Sequence, residues 1–370
     1  MKCLFDLSFI RYNLYAGVSK YAYRFLDYIV QSGKTDEFVL LLNSISEKQI
    51  LDWYPQFKYV TIDSGIFKKI PVFRTLVLTY KFKKIADKTD CDVVFCPWGN
   101  EITCLKINKK KISVIHDLQL RIDLSGINLY IHKLIDNAVV KYSDKIVTIS
   151  EFSKKQILSF YPKLNNDFVV SLGNSVSTND YEGTRILEDK YILYVGRICK
   201  MKNIITLVKA FTNIHEQLNS YKLVIIGKRN EYWYNEILPI IESAHIKDKV
   251  YVKEDCSDQE LTMWYRYASL FVFPSLREGF GSPPLEAAIE MCPVLSTTCD
   301  SLKEVLMDQV FTYSHPCDAK ELGEIIISIL EKNTPSKEHL EKIKDIYIQN
   351  YSIQKIGNNI CDFIYNITKK

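Results

Sequence analysis

The chain has 370 residues, of which 47% are hydrophobic and 25% charged, and it carries a net charge of +4. That is long for a single core, so two domains of roughly 200 residues or fewer each are expected, and the charge is too small to imply a nucleic-acid partner. Ten cysteines without a C-x-x-C pair give no zinc framework and read as reduced thiols of a cytosolic protein.

The first residues run M-K-C-L-F-D-L-S-F-I-R-Y. Asp6 and Arg11 interrupt an apolar run too short for a signal or a span, so the stretch reads as the first strand. No later segment is apolar enough to cross a bilayer, so any membrane association is expected to be peripheral. Strands are predicted at residues 2–10, 38–42, 59–62, 93–96, 112–115, 145–149 and 168–170, and helices at 17–29, 72–88, 127–142 and 151–160. Such alternation predicts a mostly parallel sheet wrapped by helices. At 174–185 a cluster of turn formers, N-S-V-S-T-N-D-Y-E-G-T, marks a linker. The second half restarts with strands at 191–195, 222–226, 250–252, 271–273 and 294–296. Its helices are predicted at 203–218, 232–244, 258–268, 319–331, 336–350 and 352–367. The domains are accordingly set at 1–178, 188–350 and a terminal helix over 351–370.

Tandem open α/β domains bind ligands at the carboxyl ends of their strands, and four stretches stand there. Gly17 opens a helix after the first strand, without the G-x-G-x-x-G of a dinucleotide site. His116-Asp117 follows the strand at 112–115, where an imidazole can donate a hydrogen bond or move a proton. Tyr194-Val195-Gly196-Arg197 is followed by Lys202-Asn203, with Lys200 nearby, and two cations at a helix start suit a diphosphate. Finally, F-V-F-P-S-L-R-E-G-F-G-S-P-P-L-E-A-A-I-E-M-C-P spans 271–293. There Ser282 is expected as N-cap, Pro283 at the first helical position and Glu286 in the first turn. Glu278 and Glu286 bracket a glycine-bearing loop whose N–H groups and carboxylates suit an anionic, hydroxyl-rich ligand.

Two further features carry open readings. Asp90-Cys91-Asp92 has the spacing of a metal-holding triplet, but it precedes its strand and reads as a solvated turn. Lys68, Lys69, Arg74, Lys81, Lys83 and Lys84 surround Val72, Phe73, Leu76, Val77, Tyr80 and Phe82. This is either a cationic amphipathic helix for an anionic membrane or a helix with one buried face and solvated lysines.

Together these stretches resemble the family 4 retaining glycosyltransferases of glycosyl transferases group 1, over nearly the whole chain and most strongly from Tyr191 to Val305. The family's E-x7-E motif matches Glu278 to Glu286, its V-G-R…K-N segment matches Val195-Gly196-Arg197 with Lys202-Asn203, and its H-D pair matches His116-Asp117. Gly17 matches the first-domain glycine loop. The resemblance implies a GT-B fold, two Rossmann-like doubly wound domains facing a central cleft, with the last helix crossing back to the first, acceptor-binding domain. It implies that Arg197 and Lys202 hold the donor's diphosphate in place of a metal and that Glu286 grips the ribose. Glu278 and the backbone of Gly279, Phe280 and Gly281 would hold the transferred sugar, with Leu285 also on the donor. His116 would contact the sugar or the reaction centre, and Gly17 would let backbone approach the phosphate. The implied reaction is transfer from a nucleotide-sugar, GDP-mannose or a UDP-sugar, to a lipid-linked or growing glycan, with no cofactor. Its setting would be bacterial O-antigen or capsule synthesis, in the cytoplasm or on the inner face of the membrane. A nucleotide-sugar 2-epimerase of the same fold and a non-catalytic nucleotide-sugar binder are the alternatives. Two departures stand out: Met291 and Met307 occupy places where the family favours glycine.

Overall fold

The strand Cys3–Leu7 (β1) buries all five side chains, as a strand covered by helices on both faces does. Six further parallel strands complete its sheet, built in chain order with α1 (Gly17–Gln31), β2 (Phe38–Asn43), α2 (Glu47–Trp53), β3 (Lys58–Ile62), α3 (Pro71–Lys88), β4 (Val93–Cys96), β5 (Lys110–Val114), α4 (Leu120–Asp123), α5 (Gly126–Lys141), β6 (Lys145–Thr148), α6 (Glu151–Phe160) and β7 (Val169–Ser171). The sheet order is β3-β2-β1-β4-β5-β6-β7, counting β1 among the seven. The computed structural model describes residues 1–10, 17–66, 71–177 and 181–369. Lys68, Lys69, Tyr15, Ala16 and part of the linker lie outside them. Contacts divide the chain into Met1–Ser175 with Ile353–Lys370, and Val176–Ser352.

Aromatic packing fixes the first core. Phe5 stacks on Phe95 at 5.7 Å, and Phe25 of α1 meets both edge-on at 5.5 and 5.6 Å. The last helix, α14 (Ile353–Lys369), belongs to this unit and packs on α1. The hydroxyl of Tyr28 donates to Asn358 Oδ1 at 2.5 Å, beside the helical Gly357. β1 ends before the expected residue 10, because Ile10 N–H turns back to Leu7 O at 3.0 Å. Asp92 accepts from Lys2 N–H at 2.8 Å and Asp90 pairs with the Lys2 ammonium, so the acidic triplet closes the amino-terminal edge of the sheet.

The second unit runs β8 (Lys190–Val195), α7 (Ile204–Ile214), β9 (Tyr221–Ile226), α8 (Leu238–Ser243), β10 (Val250–Lys253), α9 (Asp258–Arg266), β11 (Leu270–Phe273), α10 (Ser282–Ile289), β12 (Val294–Ser296), α11 (Leu302–Leu306), β13 (Phe311–Thr312), α12 (Ala319–Glu331) and α13 (Lys337–Tyr351). Its sheet order is β10-β9-β8-β11-β12-β13, parallel throughout. α9 starts with a capping box in which Ser257 and Glu260 satisfy each other's backbone N–H. The helix expected over 232–244 is present from 231 to 243, with a π turn at Trp233–Ile237 running directly into α8. Pro239 has no N–H to continue a regular ladder, which accounts for the wider turn before it. Val176 and Ser352, where the chain changes unit, lie side by side as a parallel bridge. Among the described residues no helix is long and apolar enough to cross a membrane.

Candidate active site

The strand order of the second unit reverses between β8 and β11, and the carboxyl ends of such a pair open a crevice. The loops after these two strands carry Arg197, Lys202 and Glu278. Gly196 and Gly227 approach so closely that a Cβ on Gly227 would lie 2.3 Å from the Gly196 carbonyl oxygen. Asn230 then donates to Ile198 O at 2.7 Å. The result is an open cleft of about 580 Å³ lined by residues that include Arg197, Cys199, Lys228 and Asn230.

Lys200–Lys202 form a short 3₁₀ turn, and Asn203 adopts a left-handed conformation, φ 52°, before α7. Asparagine tolerates that conformation better than most residues. Its amide donates to Pro274 O at 3.2 Å and Pro316 O at 2.7 Å, and its oxygen accepts from Thr206 Oγ1 at 2.8 Å. Leu276 N–H donates to Met201 O at 2.9 Å. The two loops are thus tied by backbone, and the Lys202 ammonium pairs with the Glu278 carboxylate. Lys202 also stands 5.6 Å from the centre of the Phe273 ring. Arg197 and Lys200 are exposed to solvent.

Glu278 is itself held from a third loop. Its N–H donates to Asp300 Oδ2 at 3.1 Å, and Ser301 Oγ donates to its carbonyl at 2.9 Å. Neither residue was singled out in the sequence, although both follow β12 at a strand's carboxyl end, the same signal that marked the others. Beside them the thiol of Cys299 is pushed up to about 12 by burial, with Thr297 partly offsetting it, and it donates to Ser275 O at 3.1 Å.

The start of α10 corrects the expected cap. Gly281, φ 90°, is the N-cap, and Ser282 is the first helical residue. A Cβ on Gly281 would meet Leu302 Cδ2 at 2.3 Å, so only glycine fits there. Glu286 accordingly sits in the second turn, where Tyr265 Oη donates to its Oε2 at 3.3 Å. Pro283 and Pro284 carry no N–H, so Ser282 and Leu285 hold the N–H groups of the first turn. Leu285 is fully buried and Phe280 is 4% exposed, with Phe280 packed edge-on against Tyr351 at 5.5 Å. Only the backbone of these two can serve a ligand.

In the first unit, His116 Nε2 and Pro97 O are 2.9 Å apart. Because a carbonyl only accepts, Nε2–H donates, and the neutral ring keeps its lone pair on Nδ1. Burial lowers the His116 pKa, with the Pro97 hydrogen bond and Asp117 opposing. Tyr21 meets the ring edge-on at 4.9 Å, and Asp117 Oδ1 accepts from Gln119 N–H at 3.0 Å. Gly17 is exposed, and a Cβ there would meet nothing within 4 Å. The second unit therefore gathers Arg197, Lys202, Glu278, Gly279, Phe280, Gly281, Leu285 and Glu286, while His116 and Gly17 belong to the first.

Comparison with known proteins adds to this geometry. Residues 178–346 match the family described as Glycosyl transferases group 1. The chain is 30% identical over 190 residues to the O-antigen chain mannosyltransferase RfbU of Salmonella typhimurium, covering 51% of this chain and 52% of that one. It is 29% identical over 213 residues to the serotype-specific mannosyltransferase WbdA of Escherichia coli, covering 53% of this chain and 25% of that one. The match thus spans about half the length of the first relative and less of the second. The structure of Anabaena Alr3699/HepE in complex with UDP-glucose is similar with a TM-score of 0.77 at 14% identity, over 99% of this chain and 100% of that one. At that identity the likeness is one of fold, the GT-B fold of two Rossmann-like units.

Proposed function

We propose that this chain, whose residues 178–346 match the glycosyl transferases group 1 family, is a retaining, metal-independent hexosyltransferase of that family. It moves a sugar from a nucleoside diphosphate sugar, GDP-mannose or a UDP-sugar, to a lipid-linked or growing glycan in bacterial surface polysaccharide assembly. One observation carries the reading: Lys202 and Glu278, 76 residues apart, meet at the switch point of the second sheet. The names of RfbU and WbdA support mannose as the sugar, and the UDP-glucose bound by HepE supports the donor class.

Arg197 grips the donor's diphosphate as a planar fork and Lys202 as a point charge, in the role a metal would otherwise take. When Lys202 turns to phosphate, the Glu278 carboxylate is released to accept from the hydroxyls of the transferred sugar, together with the N–H groups of Gly279, Phe280 and Gly281. Glu286, oriented by Tyr265, takes the ribose hydroxyls, and the Leu285 N–H faces the donor at the start of α10. His116 contacts the sugar as a neutral imidazole, and Gly17 leaves room for backbone at the phosphate. With retention, the leaving phosphate oxygen takes the proton of the incoming acceptor hydroxyl on the same face. α3, with Lys81 and Lys84 exposed beside Leu76 and Tyr80, rests on the cytoplasmic leaflet, where a lipid-linked acceptor is presented.

Thermal unfolding in the presence of UDP, GDP, dTDP, ADP and their sugars tests the donor assignment. A donor at a hundred times its Kd stabilises the fold by about 2.7 kcal/mol, so one nucleotide family should raise the melting temperature while the others do not. No shift with any of them contradicts the proposal. Interconversion of a donor sugar without acceptor would move the assignment to the epimerase.

A further inference from the structure

The sheet of the first unit carries two helices whose outer surfaces share one chemistry. Cys96, Ser113, Ile146 and Val169 are successive partners across β4, β5, β6 and β7, so their side chains lie on one face of the sheet. Cys96 packs in a cluster with Leu78, Phe82 and Ala86 of α3. Ile146 and Val169 pack in another with Val139 and Val140 of α5. α3 and α5 therefore cover the same face of that sheet.

Their solvent sides are apolar where a helix surface is ordinarily polar. On α3, Val72, Leu76 and Tyr80 recur every four residues and are 69%, 61% and 65% exposed. On α5, Ile127, Tyr130, Ile131 and Leu134 form an i, i+3, i+4, i+7 stripe, with Ile127 75% exposed. Among the described residues of the two helices the exposed charges are all cationic: Lys81, Lys84 and Lys88 on α3, Lys133 and Lys141 on α5. The acids of these helices are not on the exposed side, Asp87 being paired with Lys83 and Asp136 with Arg121.

We infer that α3 and α5 form one two-pronged docking surface for an anionic lipid bilayer, in which both helices insert apolar side chains between headgroups held by the lysines. The inference rests on the membrane contact proposed above for α3 and adds α5 as an equal partner. Apolar side chains flanked by lysine, with no exposed carboxylate among the described residues of the two helices, complement a surface of anionic headgroups over an acyl interior. A second copy of the chain fits less well, because a two-fold contact through this face would set lysines against lysines.

The test is co-sedimentation of the full chain with phosphatidylcholine vesicles, with and without phosphatidylglycerol. The variants are Leu76→Glu with Tyr80→Glu on α3, and Ile127→Glu with Leu134→Glu on α5, each checked by its melting curve. Binding is expected only to the anionic vesicles, and each pair of substitutions is expected to weaken it about tenfold or more. Removing one exposed lysine, Lys84→Gln or Lys133→Gln, should weaken it about fivefold. If the α5 pair binds like the parent while the α3 pair does not, the two-helix surface is overturned and the α3 contact stands. If neither pair changes binding, or the parent does not bind, both fail. A lipid-free dimer that the α5 pair dissociates would assign the face to a second copy instead.

Discussion

Met291 and Met307 hold φ angles of 61° and 50°, a left-handed conformation that costs a residue with a Cβ about 1–2 kcal/mol. The family resemblance puts glycine at both places, and the chain keeps that backbone without the glycine. Met291 closes α10: its N–H donates to Ala288 O, and that of Cys292 to Ala287 O, both at 3.0 Å, a pattern that satisfies the last carbonyls of a helix. Met291→Gly and Met307→Gly are each expected to stabilise the fold by about 1 kcal/mol, read as a higher urea midpoint, and an unchanged or lower midpoint contradicts this. The Lys202–Glu278 pair makes a second residue-scale prediction. Their side chains are only 13% and 9% exposed, so Lys202→Ala leaves a carboxylate with little water and is expected to destabilise by about 3 kcal/mol. Adding Glu278→Gln to that variant should recover part of the loss, a coupling measurable as a double-mutant cycle, and strict additivity would show that the pair is not formed in solution. Both residues were legible in the sequence as candidates, because each follows a strand. Their pairing was not, because it depends on β8 and β11 being neighbours. Asp300 and Ser301 went unmarked because no recognised motif surrounds them.

Strand and helix periodicity gave most elements to within a few residues, and the exceptions have local causes. β1 stops at Leu7 for a turn, the helix ahead of Pro239 widens into a π turn, and α10 begins one residue early, at Ser282, behind a glycine cap. Two predictions belong to these elements. Asp6, within β1, is wholly buried, and burial raises its pKa from 3.8 to about 6, with Ser8 opposing. Since the folded value lies above the unfolded one, the protonated form favours the fold. That stability is fully present below pH 3.8 and is lost as the pH rises through about 6. Asp6→Asn, which cannot ionise, is therefore expected to gain up to about 3 kcal/mol on the parent between acid and neutral pH. Urea unfolding of both proteins across that range measures it, and parallel pH profiles would refute the linkage. At the start of α10, Gly281→Ala must place a methyl against Leu302 in an unfavourable backbone region. It is expected to raise the donor KM about tenfold or more by displacing the Glu278 loop, which steady-state kinetics would show. An unchanged KM would mean that the loop geometry does not position the donor.

On the scale of the whole molecule, alternation of strands and helices made two parallel α/β units legible, and the linker composition marked the first passage between them. The second passage, at Ser352, lies where one helical pattern ends and another starts. The membership of α14 in the first unit was available only from the resemblance, since its apolar stripe says that it is covered but not by what. Gly357 against Tyr28 supplies that reason in contacts. The exposed stripe on α5 was equally hidden, because a half-buried helix and a helix apolar on two sides differ little in sequence. What joins these levels is the assignment of Lys202 and Glu278 to a nucleoside diphosphate sugar. The most direct measurement is release of nucleoside diphosphate from GDP-mannose and from UDP-sugars, with and without a glycan acceptor, by the parent, Glu278→Gln and Lys202→Ala. Acceptor-dependent release by the parent, reduced about a hundredfold or more in each folded variant, is the expected result. Release by both variants at the parent's rate would contradict the assignment.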